Sequence, residues 1–332
     1  MFDSLRTKKL YILFAVVILS VGLYFSFRDI QRSSTHRELV VYSNLHTHFF
    51  NALADAFTKD TKINLKIRKI TELNGKDIQA DLILTHSLVL DEIADAGSLE
   101  TLDIPIQNAL QEKLSSPQKH WISIFYDPVV LVINREYGRK YGQTHLTKWD
   151  DLLHLKKAKI VVDNFNSSIV QNDILGCFAS NMGEKETLKY FSQLNKFVVQ
   201  YAKFPFTPVR MIASEEADMA ITLRSSLYEF SDNSFPAYFV EPEEGTPVVV
   251  YGAGIFKGSD SSLEAKEFIN WLVNSFSVKN VALQEETGYR FLNKKENSKD
   301  RNLWLNYAYK DKASLDKLVL KWYGKVRFGK YK

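Results

Sequence analysis

The chain has 332 residues, 45% of them hydrophobic and 25% charged, which is long enough for two lobes of ordinary size and excludes general disorder. Its net charge of +4 lies in the first 37 residues, where six basic side chains meet two acidic ones; the rest of the chain carries 37 of each sign. The body therefore has no bulk attraction for nucleic acid, and its one cysteine, Cys177, excludes an internal disulfide and reads as a core residue.

Residues 1–9 are a basic leader, with Arg6, Lys8 and Lys9 expected on the cytoplasmic side. Residues 10–27, LYILFAVVILSVGLYFSF, are 18 positions without a charge and predict a signal peptide or an uncleaved membrane anchor. Residues 28–37 are polar and read as a tether. The body is thus expected in the periplasm or on the outer face of the cytoplasmic membrane, held or secreted by this segment.

From residue 38 onward, strand and helix patterns alternate. The run at 39–42 predicts a buried strand, and the stripe of Phe50, Leu53 and Phe57 predicts an amphipathic helix after it. Between them, Ser43, Asn44 and His46 lie where open α/β sheets bind ligands, at a strand's carboxyl end facing a helix N-terminus. Residues 80–84 predict a strand broken at Thr85-His86, with Ser87 capping a helix over 88–96 that ends at Gly97. His86 thereby becomes a candidate for the same crevice as His46.

Residues 122–134, ISIFYDPVVLVIN, are too long for an ordinary strand and are expected to split at Asp127-Pro128, where the chain leaves one lobe for the next. A capped helical turn is expected over 149–155 and a strand over 159–162. Ser167 and Ser168 then precede a helix over 169–182, a natural anion position. Helices over 184–194 and 208–214 and a strand over 197–201 follow. The strand at 218–223 ends at Arg224, Ser225 and Tyr228, and a cation placed there is costly unless it reaches water or a ligand. A return crossing is expected over 248–255, a helix over 262–276, and a long amphipathic helix over 304–323. The basic, aromatic stretch 321–332 reads as a solvated terminal face or a membrane-binding one.

Six stretches in order carry a family resemblance: VVYSNLH at 40–46, ADLILTHSLVLDEIADAGSLETLD at 80–103, VLVINREY at 130–137, TKWDDLLHLKKAKIVV at 147–162, EADMAITL at 216–223 and GAGIFKGSDSSLEAKEFINWLVN at 252–274. Over about 85% of its length, residues 39–326, the chain resembles the periplasmic solute-binding proteins of ABC importers, and among them the ferric-iron-binding group. The resemblance implies an α/β, two-lobed periplasmic-binding-protein type II fold with hinge strands, lobe 1 formed by 38–126 and 256–332 and lobe 2 by 127–255. It also implies an ABC permease as partner, a small-molecule or metal ligand, and no catalysis; no nucleophile–base grouping at a recognisable spacing argues otherwise.

In the iron-binding group a histidine, a glutamate and two adjacent tyrosines hold the metal. The resemblance puts His46 at the histidine, His86 at the glutamate, and Leu227-Tyr228 at the tyrosine pair. Ser167, Ser168 and Ser225 fall where that group holds an accompanying anion. Replacing a carboxylate and a phenolate by imidazole and leucine removes two negative charges from a cage meant for a hard cation. A ferric or divalent ion on His46, His86 and Tyr228 stays open, beside a small anionic or phosphorylated solute paired with Arg224. A ligand-sensing input domain is the alternative from another functional class.

Overall fold

A computed structural model of the chain describes residues 38–69, 79–142, 146–230, 235–279, 287–292 and 302–329. The leader and tether expected at 1–37 lie outside the described residues. Among the described residues no helix is long and apolar enough to cross a membrane.

Strand β1 (Glu38–Ser43) leads into helix α1 (Thr47–Thr61) and strand β2 (Asn64–Lys69). The predicted stripe is the buried face of α1: Phe49, Phe50, Leu53 and Phe57 are essentially inaccessible, and Lys62 ends the helix in the left-handed conformation at φ 66°. Strand β3 (Leu82–His86) runs directly into helix α2 (Ser87–Asp95). This corrects the expected break at Thr85-His86, because the ladder continues through Thr85↔Gly252 and His86↔Tyr251. Ser87 begins the helix instead of capping it, and His86 occupies the cap position without a side-chain hydrogen bond to the backbone.

After the short helix α3 (Ala109–Leu114) comes β4 (Ile122–Asn134), in which every residue is buried. The expected split is absent, since β4 is one strand that changes partners at its centre. Residues up to Pro128 pair antiparallel with β9 (Thr246–Ile255), and from Val129 onward the partners are β7 (Met219–Leu223) and β8 (Ala237–Val240). Pro128 has no N–H to donate, which does least harm where one ladder hands over to another. Lobe 1 thus has the strand order β2-β1-β3-β9-β4, the first three parallel.

Lobe 2 continues from β4 through β7 and β5 (Ile160–Asp163) to the edge strand β6 (Val198–Ala202). Helix α4 (Arg135–Tyr141) follows β4; α5 (Ile169–Met182) and α6 (Glu184–Leu194) lie between β5 and β6; α7 (Thr207–Ala213) precedes β7. Helix α8 (Ser262–Trp271) continues through a π turn at Leu272–Phe276 and packs on lobe 1, where Phe268 and Trp271 lie 4.9 and 5.1 Å from the Phe57 ring. Strand β10 (Arg290–Phe291) returns to β4. Cys177 is fully buried in α5 beside Val248, as its apolar setting predicts.

The C-terminal segment corrects two expectations. Residues 303–304 are strand β11 (Leu303–Trp304) on β9, and the helix, α9 (Lys312–Trp322), starts later, capped by Asp311, whose carboxylate accepts from Ser314 N–H at 2.9 Å. The segment also belongs to lobe 2, not lobe 1: Trp304 packs against Trp149 and Phe178, and Trp322 against Phe165 and Tyr201. Large rings on 302–329 complete a core whose other wall is α5 and α6, so burial decides the lobe over chain order. Arg327 rests over Tyr201, Tyr323 and Phe328, which places this part of the basic terminus against lobe 2.

Candidate functional site

The candidate residues gather at the carboxyl ends of β1 and β3 in lobe 1 and of β5 and β7 in lobe 2. On the lobe 1 side, Ser43 is buried and its Oγ accepts from Leu45 N–H, turning the chain after β1. Asn44 Oδ1 accepts from Thr85 Oγ1 at 3.1 Å, joining the ends of β1 and β3. His46 is half-buried at the start of α1, and its ring lies 5.4 Å from Phe206 at the start of α7 in the other lobe.

His86 is 1% exposed. Its Nε2 lies 3.0 Å from Asp173 Oδ2 on α5, so two buried side chains from opposite lobes meet across the cleft. The ring also faces Tyr251 of β9 edge-on at 6.2 Å, and its Nδ1 is buried without a hydrogen-bond partner among the described residues.

On the lobe 2 side, Ser167 Oγ donates to the Asn164 carbonyl at 2.7 Å, while exposed Ser168, at the cap position of α5, donates its hydroxyl to the Gln171 side chain. Neither hydroxyl caps the helix backbone. Arg224 is buried, with its guanidinium carbon 5.0 Å over the Phe239 ring. Ser225 N–H donates to Asp127 Oδ1 at 3.1 Å, and Tyr228 is half-buried in the short 3₁₀ turn Arg224–Phe230.

The chain thus brings His86, Arg224 and Ser225 into buried positions near the crossing strands. Of the metal candidates His46, His86 and Tyr228, His86 is engaged by Asp173, and Leu227, at the position of the first tyrosine, packs partly buried against an apolar cluster that includes residues of β4 and β7. Among the described residues no group of three or more His, Cys, Asp or Glu side chains could hold a metal ion.

Five participants escaped the sequence reading. Asp127, at the centre of β4, has its carboxyl raised to about 7 by burial, against the hydrogen bonds from Ser225. Asp163, at the end of β5, is raised to about 8, first by burial and further by the charge of Asp127, although Thr222 Oγ1 donates to it at 3.0 Å. Asp127 Oδ2 and Asp163 Oδ1 are buried without hydrogen-bond partners among the described residues. Tyr251 and Tyr289 are pushed well up by burial, the charge of Asp127 adding to both and that of Asp173 to Tyr251. The available signals were Asp127 interrupting an apolar run and Asp163 opening the polar end of the strand predicted over 159–162; Asp173 sits in a pattern that otherwise reads as core.

With this geometry in place, the comparisons with known proteins are decisive. The sequence pattern of the family described as bacterial extracellular solute-binding protein matches residues 77–313. The chain belongs to that family. Among relatives of this solute-binding protein, an uncharacterized protein of Haemophilus influenzae is 27% identical over 189 residues, and the match spans 55% of either chain. The Fe(3+)-binding periplasmic protein of Serratia marcescens is 24% identical over 276 residues, 77% of this chain and 79% of its own. Among solved structures, the periplasmic binding protein AfuA of Actinobacillus pleuropneumoniae, with fructose 6-phosphate bound, superposes with a TM-score of 0.69 at 19% identity, covering 89% of this chain and 99% of AfuA. That likeness shows the two-lobed α/β fold.

Proposed function

We propose that this solute-binding protein is exported, captures a small anionic or phosphorylated solute between its lobes without catalysing a reaction, and delivers it to an ABC permease. The observation that carries this function is Arg224: a buried guanidinium held over Phe239 at the end of β7, next to Ser225, gives the lobe 2 edge a permanent positive charge in a low-dielectric setting. A guanidinium there matches the planar, two-oxygen face of a phosphate or carboxylate. Ser167 and Ser168, just before α5, add hydroxyls and a helix start on the same side.

The unpartnered oxygens of Asp127 and Asp163 supply polar groups for the hydroxyls of a solute, donating where the carboxyl is protonated and accepting where it is ionised, which favours a phosphorylated polyol over a bare anion. β4 and β9 cross between the lobes and provide the hinge; contacts from both lobes to one solute favour the closed state that a permease reads. The segment expected at 10–27 would tether the protein to the membrane.

Ferric iron is the second reading, favoured by His46 after β1 and by the Serratia relative. A thermal-shift panel on the full chain separates the two, using inorganic phosphate, hexose phosphates, phosphonates, polyamines, divalent metals and ferric citrate. The proposed function predicts stabilisation by phosphorylated compounds. A shift confined to metals and abolished by His46→Ala would overturn it.

A further inference from the structure

Asn306 belongs to the stretch between β11 and α9, far in sequence from either lobe's strand ends, yet its side chain reaches Asp173 on α5. Its Nδ2 donates to Asp173 Oδ1 at 2.8 Å, while Asp173 Oδ2 is the atom 3.0 Å from His86 Nε2. The orientation of the amide is fixed by its own partners. Tyr309 N–H donates to Asn306 Oδ1 at 2.9 Å and Ser180 Oγ to the same oxygen at 3.3 Å, which leaves the NH₂ group for Asp173 and for the Tyr309 carbonyl at 2.9 Å. Helix α5 makes room for this approach at Gly176, where a Cβ would lie 2.6 Å from Asn306 Nδ2 and 2.8 Å from its Cγ. Any side chain at 176 would push Asn306 away from Asp173.

We infer that Asn306 is a positioning residue that turns the Asp173 carboxylate toward His86, and that the resulting His86–Asp173 contact is a latch between the two lobes that favours the closed cleft. The two ends of the latch come from different lobes, β3 and α5, and both are buried. A second contact across the cleft, His46 on Phe206, is consistent with the same closed arrangement. Each lobe-to-lobe bond shifts the open–closed equilibrium toward closed by its own differential free energy. The latch depends on no particular ligand and stands or falls apart from the choice between a phosphorylated solute and iron.

The test uses the full chain without added ligand, spin-labelled at Asp55→Cys on α1 and Lys185→Cys on α6, both exposed, with buried Cys177 left in place. Pulsed electron resonance then reads the distance between the lobes. The latch predicts one short distance for the otherwise native chain. It predicts a shift to a longer one in Asn306→Ala, in Gly176→Ala and in His86→Ala, and no further shift when Asn306→Ala is added to His86→Ala, because Asn306 acts through that contact. A long distance in the otherwise native chain, an unchanged distance in Gly176→Ala and Asn306→Ala, or additive shifts in the double variant would each overturn it. Thermal melts of every variant separate lobe opening from unfolding; should Asn306→Ala not fold, Gly176→Ala against His86→Ala decides the matter with the amide intact.

Discussion

The backbone N–H of Ser225 donates to Asp127 Oδ1 at 3.1 Å, tying the end of β7 to the strand that crosses between the lobes. The carboxyl that accepts this bond is fully buried, and burial raises it from its ordinary 3.8 to about 7; Asp163 nearby is raised to about 8. Between about pH 4 and these values the folded protein keeps protons that the unfolded chain has already lost. Stability therefore falls as pH rises from about 4 to about 8, by roughly 4 kcal/mol for Asp127 and roughly 6 kcal/mol for Asp163 at about 1.36 kcal/mol per unit. Urea melts at pH 5 and pH 9 check this: the native chain should be the more stable at pH 5, and Asp127→Asn should flatten the difference. Equal stability at both values in the native chain would contradict the burial argument.

Gly288 sets the height of the 287–292 segment above the lobe 2 strand ends. Its φ is +79°, and a Cβ there would lie 2.8 Å from the Arg224 carbonyl carbon and oxygen and from Ser225 N. Gly288→Ala should therefore strain the backbone and displace Arg224 and Ser225 together, at a cost of about 1–3 kcal/mol of stability. Thermal melts measure the first effect, and weaker binding of whichever solute stabilises the native chain measures the second.

Trp322 is fully buried between Phe165 and Tyr201, with ring centroids 5.2 and 5.1 Å away. Trp322→Ala should cost about 3–5 kcal/mol, the range for deleting a large buried aromatic side chain. Because α9 completes lobe 2, hydrogen exchange should report the loss in β5, α5 and α6 first, with α1 and α8 in lobe 1 less affected.

Much of the fold was legible because its signals are local. The alternation of short apolar runs with 3.6-residue stripes gave β1, α1, α5 and α6, and the polar breaks after β1 and β7 gave His46 and Arg224. What escaped the sequence depends on contacts between distant residues. The lobe that takes 302–329 is decided by where Trp304 and Trp322 find partners, and β4 stays whole because its ladder changes partners at Pro128. Asp173 resembles one polar residue on a core helix until Asn306, 133 positions later, and His86, 87 positions earlier, converge on it.

The most direct measurement of the central claim is a calorimetric titration of the full chain and of Arg224→Ala with a hexose 6-phosphate and, separately, with ferric citrate. A charge-assisted pair at Arg224 contributes about 1.5–3 kcal/mol, so the account predicts saturable binding of the phosphorylated sugar that weakens by roughly 10- to 100-fold in Arg224→Ala. Arg224→Lys should recover part of the loss, since it keeps the charge without the fork. Saturable binding of ferric citrate that is indifferent to Arg224→Ala, with no heat from the phosphorylated sugar, would contradict it.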